Sequence, residues 1–254
     1  MKVTRAVVPS LFTVLNIFCG FLAIVNTSRG EYDVAAWLII AAGIFDVLDG
    51  AMARITKSFS DFGVELDSLA DVVSFGVAPS FLVYSIYLHN LNGVGMLISA
   101  MPMVFGAMRL ARFNAQIVGY DKDYFRGLPI PSTAIVIASF VQHYFSPAVG
   151  IDGAAAPFLA PLVVMLSLLM VSTIQYDAMP KFSRRGIMQH PLRFTFVVVG
   201  LTAIVLTQGT ALFPFFVLYV ITGPLRFVFK YMKTLAHGAG KRSEEDAEIN
   251  SVDI

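Results

Sequence analysis

Charge is scarce in this chain. Only 14% of its 254 residues are Asp, Glu, Lys or Arg, where a soluble domain carries nearer a quarter. No polar segment is long enough to build a soluble domain beside the apolar part. There is one cysteine, Cys19, which excludes an intramolecular disulfide. It lies in an apolar run and reads as a small packing residue. Internal repeats and low-complexity tracts are missing. The formal net charge is only +1, so the total identifies no partner, and no nucleic-acid partner is expected.

Apolar residues fill the space that charge leaves. They make up 57% of the chain, and the mean hydropathy is +0.74. This composition points to an integral membrane protein. Eight apolar stretches can be marked: Pro9–Asn26, Asp33–Arg54, Gly63–Leu88, Val94–Ala111, Ile130–Phe145, Ala154–Ile174, Phe194–Thr207 and Ala211–Tyr231. Each is near the ~20 residues that cross a hydrocarbon layer of about 30 Å. Those from Ile130 and Phe194 are short, and merging or dropping them gives six or seven spans. Lys2 and Arg5 before an apolar run also describe a signal peptide. The first run is too long for one, however, and no small-residue cleavage site follows. The expected fold is therefore all-α: a polytopic membrane helix bundle of about eight spans, with six possible. Backbone groups in lipid must be satisfied within each segment, and these runs are too long for barrel strands.

Charge placement supports eight. With the N-terminus in the cytoplasm and eight crossings, 17 of the 18 Lys and Arg residues fall inside, and only Arg29 falls outside. Both termini are then cytoplasmic. Residues 1–236 form one membrane domain, and the polar run from His237 to Ile254 is expected to be a disordered tail. The outer connections are short. The inner ones, Ile55–Phe62, Arg112–Pro129 and Gln175–Arg193, hold most of the polar chemistry.

One stretch breaks the apolar pattern. DVLDGAMARITKSFSDFGVELDSLAD, Asp46 to Asp71, holds six carboxylates. Asp46 and Asp49 are three apart near the inner end of the second span. Asp67 and Asp71 are four apart near the inner start of the third. Each pair shares a helix face, and the short connection lets the two helices lie side by side, so the pairs can converge. A charge at the centre of a membrane helix costs about 2.5–3.5 kcal/mol on insertion scales, discounted here near the interface. Clustered carboxylates also repel one another. Divalent cations relieve both penalties, and all-oxygen ligation suits two Mg²⁺ or Mn²⁺ ions. Gly50, Ala53 and Gly63 leave room for a bulky group near the backbone, and Arg54 can grip a phosphate with two hydrogen bonds. A lone Asp at a helix end is commonly a cap, and small residues commonly mark helix packing. Four acids in two helical pairs, with an arginine and glycines, fit a diphosphate site at a membrane surface better.

The spacing of Asp46, Asp49-Gly50, Ala53-Arg54, Gly63, Asp67 and Asp71 resembles the signature of the CDP-alcohol phosphatidyltransferases. PSLFTVLNIFCGFLA (Pro9–Ala23), MRLARFN (Met108–Asn114) and FRGLPIPSTA (Phe125–Ala134) are similar to segments of the branch that uses serine. The resemblance implies that CDP-diacylglycerol and L-serine give phosphatidylserine and CMP. It implies a homodimer in the lipid bilayer whose active site faces the cytoplasm. It also implies roles: Asp46, Asp49 and Asp67 on one metal, and Asp46, Asp67 and Asp71 on a second. Asp71 would be the general base. Asn16, Gly50 and Ala53 would line the cytidine pocket and Arg54 would hold the diphosphate, with Asp49, Ser60 and Gly63 also on the donor. Arg112, Asn114 and Arg126 are the candidates for serine. Two alternatives stay open. One is the same chemistry with glycerol phosphate, inositol phosphate or choline as acceptor. The other is a divalent-cation carrier, against which the gathering of the acids at one side speaks.

Overall fold

The computed structural model describes residues 7–56, 60–115, 124–177, 191–229 and 231–232. The expected tail, and most of the Gln175–Arg193 connection, lie outside them. The helices are α1 (Val7–Ser28), α2 (Tyr32–Thr56), α3 (Asp61–Asp71), α4 (Ala78–Ile86), α5 (Asn92–Ala115), α6 (Ile130–Tyr144), α7 (Ala156–Val171), α8 (Pro191–Leu206) and α9 (Leu212–Phe229). A π-helical segment, Val72–Val77, joins α3 to α4 into one rod. Eight rods therefore occupy the eight apolar stretches. Five of them are long and apolar enough to cross a membrane. Leu11, Phe18, Phe21, Leu97, Phe158, Leu206 and Phe229 are exposed along these rods. In water such a surface would aggregate, and in a bilayer it is the solvated face. The protein is an integral membrane protein.

The short spans have a structural reason. α6 has 15 residues, about 22 Å at 1.5 Å per residue, less than the hydrocarbon thickness. It is also the most enclosed rod: Ile130, Ala134, Val136, Ile137, Ala138 and Val141 are all fully buried. A helix walled by protein need not match the lipid. It packs against α2, α4, α5 and α7, and Gln142 Nε2 donates to the Asp33 carbonyl at 2.7 Å. α5 carries Pro102 mid-helix, which removes one ladder hydrogen bond. Next to it, the Met103 N–H donates to Ser80 Oγ of α4 at 3.2 Å, which ties the two rods at the weak point.

Two small β-ribbons were not expected from the sequence. β1 (Tyr124–Arg126) pairs antiparallel with β4 (Gln175–Asp177), and β2 (Phe145–Ser146) with β3 (Gly150–Ile151). The first joins two of the polar connections, Arg112–Pro129 and Gln175–Arg193. It is held by Gly127 N donating to Ile174 O at 2.8 Å and Leu128 N to Leu169 O at 3.0 Å. Strands of two or three residues carry no readable alternation, so sequence periodicity misses them.

Candidate active site

The site is built where α1, α2, α3 and α5 meet. Ser60 starts α3, its hydroxyl accepting from Gly63 N at 3.0 Å. This N-cap fixes the first turn and sets the direction in which Asp67 and Asp71 project. Asp46, Asp49 and Asp67 converge: one carboxylate oxygen from each lies within 4.8 Å of the others. Two ionised groups at that separation repel by roughly 3–4 kcal/mol at an effective dielectric of about 20. Asp71 is buried one turn beyond Asp67.

α1 supplies two polar side chains to this cluster. The Thr13 hydroxyl donates to Asp49 Oδ2 at 3.0 Å. Asn16, three residues on and fully buried, lies against Asp71. Its backbone carbonyl accepts from Ser74 Oγ at 2.9 Å, which joins α1 to the π segment. Thr13 was missed in the sequence. A threonine in an apolar helix usually bonds its own backbone, and only the packing of α1 on α2 reveals its partner.

Six buried side-chain polar atoms lack a hydrogen-bond partner among the described residues: Asn16 Nδ2 and Oδ1, Asp67 Oδ1, Asp71 Oδ1, Arg109 Nε and Ser167 Oγ. Five of the six belong to this one region. Buried polar atoms are nearly always paired, so their gathering here marks a place that a ligand completes. The donor set fits hard divalent cations: it is carboxylate oxygens only, from three residues within 4.8 Å of one another, with Asp67 Oδ1 orphaned among them and Asp71 Oδ1 orphaned one turn on.

The other expected residues fall around this centre in different ways. Gly50 faces open space, where an added Cβ would meet only Arg54 Nη1 at 3.7 Å. Ala53 is half-buried and Arg54 exposed beside it. Ser60 and Gly63 engage each other in the helix cap. Asn114 Nδ2 donates to Ser68 Oγ at 2.9 Å, fastening α5 to α3. Arg112 donates from Nη1 to Val171 O at 3.1 Å and from Nη2 to Arg126 O at 3.3 Å, and Arg126 itself is exposed. Arg109, one turn before Arg112, is buried with Asp71, Arg112 and Tyr219 around it. In the sequence Arg109 falls among the 17 inner cations and inside the MRLARFN segment, with no role assigned to it by itself. Arginines near helix ends generally mark topology, and nothing in the spacing separated this one from Arg112.

Comparison with known proteins agrees with this geometry. Residues 6–172 match the family profile described as CDP-alcohol phosphatidyltransferase. A CDP-diacylglycerol–serine O-phosphatidyltransferase of Helicobacter pylori is 37% identical over 231 residues, covering 89% of this chain and 93% of that protein. One of the same name from Bacillus subtilis is 35% identical over 182 residues, covering 71% of this chain and 95% of that one. An archaetidylserine synthase of Methanothermobacter thermautotrophicus is 36% identical over 178 residues, covering 69% and 72%. The matched region holds every residue of the acidic site, and this chain belongs to the CDP-alcohol phosphatidyltransferase family.

Proposed function

We infer that this enzyme transfers the phosphatidyl group of CDP-diacylglycerol to the hydroxyl of L-serine, giving phosphatidylserine and CMP. The observation that carries the reading is the convergence of Asp46, Asp49 and Asp67 beside the orphaned polar atoms of Asn16, Asp67 and Asp71. The names of the relatives supply the acceptor, serine, and the donor class.

The residues divide the work. Asn16, Gly50 and Ala53 line the cytidine end of the donor. Arg54 holds the diphosphate, with Ser60 and Gly63 shaping the turn beneath it. Asp46, Asp49 and Asp67 would hold one divalent cation, Mg²⁺ or Mn²⁺, and Asp46, Asp67 and Asp71 would hold a second. When bound, such cations neutralise the diphosphate oxygens and the departing phosphate. Asp71 accepts the proton of the serine hydroxyl as its oxygen bonds to the phosphorus that carries the diacylglycerol. The bond from that phosphorus to the bridging oxygen breaks, and CMP leaves with the electron pair. Arg112, Asn114 and Arg126 stand on the acceptor side. Arg112 and Asn114 act there through the backbone and the Ser68 hydroxyl that they hold. One membrane domain, residues 1–236, carries the activity. It works as a homodimer with the site open to the cytoplasm.

The test is CMP release by the purified full chain in detergent, given CDP-diacylglycerol and a panel of alcohols. Serine should be used in preference to glycerol phosphate, inositol phosphate and choline. A chelator should abolish the rate, and added Mg²⁺ or Mn²⁺ should restore it. A full rate in chelator would sink the metal assignment, and preference for another alcohol would move the acceptor.

A further inference from the structure

The chain has a single tryptophan, Trp37, and it lines a cavity at the end of the bundle away from the acidic site. Trp37 stands nine residues before Asp46 on α2, about 14 Å of helix at 1.5 Å per residue. The cavity has a volume of about 230 Å³, smaller than pockets that take drug-sized ligands. Ser139, Gln142 and His143 line it from the last turns of α6, and Gln208, Gly209 and Thr210 from the turn between α8 and α9. That turn is folded down onto the indole. Gly209 has a φ of +94°, and a Cβ added there would lie 2.6 Å from Trp37 Cη2. Gln208 has a φ of 52°, a conformation uncommon for any residue with a side chain. Such outliers gather at ligand clamps, and this one closes a polar cavity.

The lining is suited to a cation. Gln142 spends its Nε2 on the Asp33 carbonyl at 2.7 Å, which leaves its Oε1 to accept. The buried Ser139 hydroxyl donates to Val136 O at 3.1 Å, so its lone pairs are what it presents. Trp37 keeps 41% of its surface exposed, and an indole face attracts ammonium groups. The His143 ring is stacked on Phe213 at 6.2 Å. α6 and α8 both bring their C-terminal ends here, and a helix C-terminus carries partial negative charge. The last turn of α8 holds no basic residue, and that of α6 holds only His143. Neither Lys nor Arg lines the cavity. A phosphate would find no cation there. On α2, the charged residue one turn before Trp37 is an acid, Asp33.

We propose that this cavity is a second binding site, one that takes an alkylammonium group from a membrane lipid headgroup or from a free amine. The ammonium lies against the indole and donates to Gln142 Oε1 and Ser139 Oγ. Tryptophan favours the depth at which lipid headgroups meet hydrocarbon, so a headgroup amine can reach the site without leaving the bilayer. The site is separate from the acidic centre, and its occupancy does not depend on the reaction proposed above.

The lone tryptophan makes the test direct, because its fluorescence reports this cavity alone. The full chain in detergent is titrated with dihexanoyl phosphatidylethanolamine, with dihexanoyl phosphatidylglycerol and with free ethanolamine. The ethanolamine lipid should change Trp37 emission saturably, and the glycerol lipid should need on the order of tenfold more, the size of a lost charged hydrogen bond. Saturation by free ethanolamine at a similar concentration identifies a free amine as the ligand, and a response to the lipid alone identifies the headgroup. An equal response to both lipids, or no saturable response to either amine, overturns the proposal. Gln208→Glu and Gln208→Lys then test the sign of the charge. The first should tighten amine binding about three- to fivefold and the second weaken it by as much, the range of an exposed ion pair. No change, or a change in the same direction for both, also overturns it. If either variant lacks a thermal unfolding transition, Thr210→Glu and Thr210→Lys replace the pair and carry the same expectation.

Discussion

Thr13 and Asp71 show how single side chains divide the work of one acidic site. The Thr13 hydroxyl donates to Asp49 Oδ2 from a different helix, so it fixes how that carboxylate is presented. Residues that orient a ligand carboxylate commonly matter 10- to 100-fold for metal affinity. Thr13→Val should therefore raise the Mg²⁺ or Mn²⁺ concentration that half-activates the enzyme by about tenfold, with little change in rate at saturating metal. A metal titration of CMP release reads this, and an unchanged half-activating concentration would make Thr13 a packing residue only. Asp71 should behave differently. Asp71→Asn leaves Asn16, Gly50, Ala53 and Arg54 in place, so CDP-diacylglycerol should still bind. Loss of a general base typically costs 10²–10⁴-fold in rate. A variant that lost donor binding while keeping a near-normal maximal rate would make Asp71 a binding residue. The four aspartates could be found in the sequence because their spacing sets them on two helix faces. Thr13 could not, since its partner Asp49 lies on another helix and no local pattern encodes that contact.

At the scale of elements, the third rod is the informative one. The sequence reads as a single helix from Gly63, and the structure inserts the π segment Val72–Val77 directly after Asp71. A π turn changes the angular register of everything beyond it, so Asp67 and Asp71 can face the site while Ala78, Leu82 and Val83 face the core. α1 crosses this segment at close range. A Cβ added at Gly20 would lie 2.7 Å from Ser74 Cα, closer than real Cβ atoms come to backbone. Gly20 is thus required by packing, and Ser74 can reach Asn16 O because of it. Gly20→Val should push α1 away from the π segment and destabilise the protein by about 1–3 kcal/mol. It should also weaken donor binding, because Asn16 moves with α1. Thermal unfolding in detergent and donor affinity, measured together, check this. An unchanged melting temperature would mean that the crossing is loose. Periodicity gave the rods their limits within a few residues, but it could not show the π segment. Its residues, Val-Val-Ser-Phe-Gly-Val, are as compatible with an α-helix as with a π turn.

At the scale of the molecule, lipid explains why so much of the fold was legible. Backbone groups in hydrocarbon must be satisfied within each rod, so apolar runs become helices whatever their neighbours. The short α6 stays a helix for a second reason, enclosure by α2, α4, α5 and α7. The exposed apolar faces of α8 and α9, with Val199, Leu206, Leu225 and Phe229 outward, read as lipid contacts on the same argument. The direction of insertion is a separate matter, and the proposed direction rests on charge. Eight crossings return the chain to the side where it began, and with the N-terminus inside, 17 of 18 cations share that side. Removing one crossing would put every later cation, including Arg226, Lys233, Lys241 and Arg242, on the opposite side, against the positive-inside tendency. The acidic site lies at the end of α2 and the start of α3, next to the cation-rich connections, so that orientation, the one proposed above, would open it to the cytoplasm. A reporter fused after Ile254 should therefore be active only in the cytoplasm. One placed in the short connection at Asn90 should be reached only from outside. A C-terminal reporter accessible from outside would mean an odd number of crossings. The three short rods, α6, α7 and α8, would then be the first to re-examine, because each is shorter than the bilayer is thick.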